Sequence, residues 1–182
     1  YADQSFTLDD LATGDYTVAV GDASVPAGNY TNQALSTVGC FIDADGKTGK
    51  DSAGTDGSYD GTPLEGKVNL QTSVGNVCKQ AESGAVDVAF VYSSDVYRFG
   101  GVKVIGVVPD DTHKNIIYPA AICKDSTQAE AANEFIEWAT TNADANVALS
   151  LGEWDTTSMG LAGSPVVLTS GLAAGDTLAT TD

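Results

Sequence analysis

Apolar positions along this chain alternate between short continuous runs and helical stripes. Tyr16 to Val20, YTVAV, is a β-branched run of the kind that forms a strand covered on both faces. The segment entered at Pro26 places Tyr30, Ala34, Leu35 and Val38 on one helical face and meets Gly39, a C-cap residue. A second unit repeats the pattern: a strand over Val68–Gln71, Ser73 as N-cap, then Val74, Val77, Cys78 and Ala81 at helical spacing up to Gly84. A third run, VDVAFVY over Val86–Tyr92, is almost continuously apolar. Strand, helix, strand, helix, strand predicts an α/β fold with a doubly wound, mainly parallel sheet.

Beyond this half, VKVIGVV (Val102–Val108) and IIYPAAI (Ile116–Ile122) are expected strands, with Pro119 confining the second to an edge or crossing position. Gln128–Thr140 has helical spacing, with Ala131, Phe135, Trp138 and Ala139 on one face, and Ala145–Leu151 suits a further short helix. The expected layout is an α/β lobe over 1–108, crossing strands and packing helices over 109–158, and a tail over 159–182 whose composition permits partial disorder. The lobe is interrupted by 43–66, DADGKTGKDSAGTDGSYDGTPLEG, nearly devoid of aliphatics, which predicts a solvated surface insertion built as a hairpin. Its DADG opens like a calcium loop, but Thr48 stands where the turn glycine belongs and Gly54 where the bidentate glutamate belongs, so no metal site is expected.

Charge narrows the partners. Twenty-five acidic against 8 basic residues give a formal charge of −17, which repels nucleic-acid phosphates, so no nucleic-acid partner is expected. The same field opposes an anionic ligand at long range, and an anion site here must rely on local dipoles. No apolar run approaches the roughly 18 residues of a membrane span. Cys40, Cys78 and Cys123 lack zinc-site spacing; three buried thiols are favoured over one disulfide plus a free thiol. The chain starts Tyr1-Ala2-Asp3, the pattern of a processed secreted protein or of a piece of a longer one.

In an open parallel sheet, ligands bind beyond the carboxyl ends of the strands, where helix N-termini present free N–H groups. Here the first strand delivers Val25-Pro26-Ala27-Gly28, the second Ser73-Val74-Gly75, and the third Tyr92. Two helix N-termini and one phenol on a single rim suit a small anion held by neutral donors. His113, the only histidine, stands in DDTHKN, expected to be a solvated turn. No nucleophile elbow, P-loop or dinucleotide fingerprint occurs, and no enzyme activity is expected.

The segments VAVGDASVPAGNYTNQAL, SVGNVCKQAESGAVDVAFVYSSD and GVKVIGVVPDDTHKNIIYPAAI together resemble the carboxyl-terminal two-thirds of the periplasmic molybdate-binding proteins of ABC importers. The resemblance implies one lobe of a type II periplasmic-binding-protein-like fold, located outside the cytoplasm. It implies a tetrahedral oxyanion ligand, molybdate or tungstate, with no other cofactor. The family's amide ligand in VPAG falls on Ala27, the amide at the next helix start on Val74, and the tyrosine of VY on Tyr92. The family's serine ligands belong to an N-terminal lobe with no counterpart in this chain, so the implied partners are that lobe and a membrane permease. Two other readings stay open: a ligand-sensing domain on the same fold, and a surface interaction module worked by the acidic insertion.

Overall fold

In a computed structural model, the structure of residues 6–117, 120–142 and 166–171 is described. The chain divides into two compact units, 1–114 together with 165–182, and 115–164. These limits differ from the layout expected above, because part of the supposed tail returns to the first unit.

The first unit is built on a five-stranded sheet. In chain order its elements are α1 (Leu8–Thr13), β1 (Val18–Gly21), α2 (Pro26–Thr37), β2 (Ile42–Asp43), β3 (Gly57–Ser58), β4 (Val68–Gln71), α3 (Val74–Glu82), β5 (Val88–Tyr92), α4 (Ser93–Phe99), β6 (Val102–Val107) and β7 (Val166–Gly171). The sheet order is β4-β1-β5-β7-β6. β1 pairs parallel with β4 and with β5, in registers that set Gly21 opposite Gln71 and Val18 opposite Val88. β7 runs antiparallel to β5 and to β6, which makes β6 parallel to the other three. A mainly parallel α/β sheet is therefore what the alternating runs produce. The PVVL patch of the tail supplies the antiparallel strand in its interior, with Val166, Val167, Leu168 and Thr169 all buried.

Both sheet faces are covered, as continuous apolar strands require. On one side Val77, Cys78 and Ala81 of α3 join Ala19, Ala89, Val91 and Val167 in a shared core. By the two-residue alternation of strands, Val18, Val20, Val88 and Phe90 point the other way. That face is packed by α2, which contacts β1 and β5.

Helix α2 is buried nearly all round, and its polar residues explain the insertion. Thr31, Asn32, Gln33 and Ser36 are each below a tenth exposed. Asn32 donates to the Gly54 carbonyl at 2.8 Å and accepts from the Tyr59 hydroxyl. Gln33 donates to the Ala53 carbonyl at 3.2 Å, and its side-chain oxygen accepts from the Lys114 amide at 2.8 Å. The Ser36 hydroxyl accepts from the Gly49 amide at 2.8 Å. Residues 43–66 are thus not a solvated excursion: the β2–β3 ladder makes the expected hairpin, but Gly49, Ser52, Gly54, Thr62 and Leu64 are buried. At Gly54 only glycine fits, since its φ is +68° and a Cβ would stand 2.0 Å from the Asn29 carbonyl oxygen. The DADG motif has a structural use as well. Asp43 accepts from the Ser52 hydroxyl and from the Asp45 and Lys47 amides, and the Ser52 bond holds its carboxyl below the usual range.

Three further expectations are corrected. His113 is buried at 3% exposure, packed edge-on to Tyr30 with its Nδ1 2.8 Å from the Lys114 carbonyl oxygen, because the turn Asp110–Thr112 folds back on α2. Cys40 and Cys78 are buried free thiols, whereas Cys123 is exposed. In the second unit, the described residues of Ile116–Ile122 form no strand beyond a single bridge residue at Ile117; Ile116 is buried, but Ile117 is 56% exposed. The expected helix appears as α5 (Ala129–Thr141), with Ala139 buried but Phe135 and Trp138 about half exposed. The helix expected at Ala145–Leu151, and Pro119, lie outside the described residues.

Replacing Asn32→Ala strands the Gly54 carbonyl and the Tyr59 hydroxyl in a buried interface, an expected loss of about 1–3 kcal/mol. Urea denaturation measures the loss, and hydrogen exchange should show amides 53–59 deprotected before those of β1 and β5.

Candidate functional site at the carboxyl rim of the sheet

Parallel pairing brings the three predicted residues to one edge. β1 ends at Gly21 between β4 and β5, and strands lie about 4.8 Å apart, so the flanking ends stand within about 10 Å of each other. The Asp22 amide donates to the Gln71 carbonyl at 2.8 Å, extending the β1–β4 pairing into the loops above the sheet.

Ala27 occupies the second position of α2. The Val25 amide donates to the Asp22 carbonyl and the Gly28 amide to the Val25 carbonyl, while Pro26 has no N–H. The Ala27 amide is thereby the first-turn donor with no intrahelical carbonyl to reach. Its methyl group is fully buried, so its available chemistry is the backbone N–H alone. Gly28 presses the helix onto the strand end, where an added Cβ would stand 2.0 Å from the Gly21 carbonyl oxygen.

Val74 is the first residue of α3. The Ser73 hydroxyl caps the helix by accepting from the Asn76 amide at 3.2 Å, which leaves the Val74 and Gly75 amides as first-turn donors. Val74 itself is half-buried, whereas Val77, Cys78 and Ala81 carry the core face.

Tyr92 ends β5 and is the N-cap of α4. Its amide donates to the Asp95 carboxylate at 3.2 Å. The structure therefore sets Ala27, Val74 and Tyr92 on one rim, at the ends of three adjacent strands.

Residues not singled out from sequence complete the rim. Asp95 is 6% exposed, and burial raises its carboxyl, opposed by the Tyr92 amide and the Arg98 charge. The Phe99 ring rests over the start of α3, 3.1 Å from where a Gly75 Cβ would stand, and the Arg98 guanidinium lies 5.0 Å above that ring. One of only eight basic residues is thus carried to the rim. Opposing it, Asp22 accepts from the Ser24 hydroxyl at 2.6 Å and the Ser24 amide at 2.9 Å, which keep its carboxyl below the usual range and ionised. The seven-residue α4 has no apolar periodicity to reveal it; the available signal was an acidic residue three positions after Tyr92.

A mainly parallel α/β sheet with helix N-terminal donors gathered at one carboxyl edge is the architecture of a ligand-binding lobe. Residues 2–149 match the family model described as bacterial extracellular solute-binding protein, and the chain belongs to that family. It is 31% identical over 115 residues to the putative ABC transporter substrate-binding lipoprotein YvgL of Bacillus subtilis, covering 63% of this chain and 36% of the relative. It is 28% identical over 113 residues to the molybdate-binding protein ModA of Escherichia coli, covering 62% and 36%. With ModA of Haemophilus influenzae it shares 26% over 142 residues, covering 78% and 48%. A solved structure, the substrate binding domain of a putative molybdenum ABC transporter from Clostridium difficile, superposes with a TM-score of 0.59 at 30% identity, over 81% of this chain and 57% of that one. The chain spans half or less of the length of the curated relatives it matches. All four are named as binding proteins or domains rather than enzymes.

The buried carboxylate at the rim has a signed pH consequence. Asp95 has a raised carboxyl in the folded state, so its contribution to folding is present below the unfolded pKa of about 4 and is lost as pH rises. Asp95→Asn, whose side-chain oxygen still accepts from the Tyr92 amide, should therefore gain stability relative to the parent at pH 7 and lose that advantage near pH 3. Paired urea titrations at the two pH values measure it.

Proposed function

We propose that this chain is the ligand-gripping lobe of an extracytoplasmic solute-binding protein that captures a tetrahedral oxyanion, molybdate or tungstate, for an ABC importer. The observation that carries the reading is the convergence of the Ala27 and Val74 amides and Tyr92 at the ends of three adjacent strands. The names of the relatives and of the similar solved structure support the ligand class and the transport role. The remaining ligand donors would come from the part of such a protein that this chain does not span, and a membrane permease would receive the ligand.

The chemistry of the rim favours a fully deprotonated anion. Backbone amides and a phenol donate hydrogen bonds, and helix N-termini add favourable dipoles. A protonated oxyanion such as hydrogen phosphate needs an acceptor for its proton. The backbone amides of Ala27 and Val74 are donors and offer no such acceptor. Because the net charge of −17 opposes the approach of an anion, and salt screens that repulsion beyond a Debye length of about 8 Å, affinity has to arise from these short contacts, and added salt should aid approach.

An amide-resolved NMR titration with molybdate, sulfate and phosphate at fixed ionic strength tests the reading. Shifts of the Ala27 and Val74 amides and the neighbours of Tyr92 are expected with molybdate at concentrations where phosphate leaves them unmoved. Tyr92→Phe should weaken molybdate binding by about 1–3 kcal/mol, since one donor to a charged oxygen is removed. Equal, diffuse shifts with all three anions would sink the proposal.

A further inference from the structure

Beside the rim, a cavity of about 430 Å³ opens between the β1–α2 loop, the edge strand β4 and the insertion. Its size falls in the range of small-molecule sites, about 300–1,000 Å³. Ala27, Val74 and Tyr92 do not line it; it adjoins the anion rim and shares Asp22 with the rim's edge.

Six of its lining residues define its chemistry. Phe41 and Leu64 are buried and give an apolar wall, with Leu70, 53% exposed, at the mouth. The Phe41 and Tyr59 rings meet edge to face with centroids 5.2 Å apart, and the Tyr59 hydroxyl is committed to Asn32. Burial raises Tyr59, which keeps its ring neutral. Two carboxylates line the cavity from different segments, the ionised Asp22 from the β1–α2 loop and Asp60 from the insertion, and no lysine, arginine or histidine is among the lining residues.

These features select a ligand by sign and by shape. An anion would meet two carboxylates without a counter-charge, and the overall field of a −17 chain drives it away while steering a cation in. A bare metal ion fits poorly, because among the described residues no group of three acidic, histidine or cysteine side chains is placed to hold one. A cation with an organic body satisfies both halves, its charge near the carboxylates and its apolar part against Phe41, Leu64 and the Tyr59 ring. The wall supplied by the insertion is anchored, since Asn32, Gln33 and Ser36 of α2 bond its backbone at Gly54, Ala53 and Gly49. We propose that this cavity is a second binding site, one that takes a small organic ammonium ion with an aromatic or aliphatic body.

Benzylammonium, benzyl alcohol and benzoate are probes of one shape and three charges. In NMR titrations of the whole chain at fixed ionic strength, benzylammonium should give saturable shifts confined to residues around Asp22, Tyr59, Asp60 and Leu70. Benzyl alcohol should bind roughly 5-fold more weakly and benzoate not at all. Asp60→Asn, at an exposed position, should weaken benzylammonium about 3- to 5-fold. Leu70→Lys, which sets a fixed cation at the mouth, should abolish its binding while leaving the spectrum elsewhere folded. Equal affinity for the alcohol, unsaturable shifts spread over the acidic surface, or an Asp60→Asn chain that binds unchanged would each overturn the proposal.

Discussion

A helix can be held against a sheet by one apolar stripe, and then it keeps some freedom to slide or roll. Helix α2 has no such freedom, because its opposite face is also interred. Once Asn32, Gln33 and Ser36 are removed from water, every polar atom left unpaired costs about 1–3 kcal/mol, so the covering segment must present carbonyls and amides at matching positions. The insertion does this at Gly49, Ala53 and Gly54. Gly28 then brings the first turn of the helix against the Gly21 carbonyl. Clamped from both sides, α2 delivers the Ala27 amide to a set place above β1.

The rim gathers hydrogen-bond donors in an acidic protein that has few cations. Parallel strands give adjacent helix starts for free, each with donors that the helix itself cannot satisfy. Capping by Ser73 consumes the Asn76 amide and not that of Val74, and the loop turn at Asp22 consumes the Val25 and Gly28 amides through local carbonyls and not that of Ala27. Asp95 takes the backbone amide of Tyr92. Arg98 stacked on Phe99 places one compensating charge beside α3. Over longer distances the field remains repulsive, so the selectivity of such a site lies in contacts of a few ångströms.

What was legible in the sequence was whatever depends on local periodicity. The runs at 16–20, 68–71 and 86–92 became β1, β4 and β5 because each is a short apolar stretch bounded by turn residues; the strand-end rule then selected the stretches 25–28 and 73–75 and Tyr92, and the family resemblance singled out Ala27 and Val74 within them. What was hidden depends on distant pairing. β7 is a short apolar patch set in small residues, and its place between β5 and β6 is decided by partners more than fifty residues earlier. His113 lies in an acidic, turn-like segment, and only the packing of that turn on α2 removes it from solvent. Asp95, Arg98 and Phe99 sit on a helix too short to show a stripe.

Composition misled most over residues 43–66, and the reason is instructive. Abundant Gly, Asp, Ser and Thr with few aliphatics describe a segment that cannot bury apolar area of its own. They also describe one that lays its backbone against a polar helix face. Gly54 must lack a Cβ to approach the Asn29 carbonyl, Ser52 must carry a hydroxyl to meet Asp43, and Asp43 must carry a charge to gather the Asp45 and Lys47 amides. Each small or polar residue answers a geometric demand of close backbone approach, so low hydrophobicity here marks order obtained through hydrogen bonds. The same economy leaves Phe41, Tyr59 and Leu64 as the few large side chains of the region, and it is these that line the cavity beside the rim.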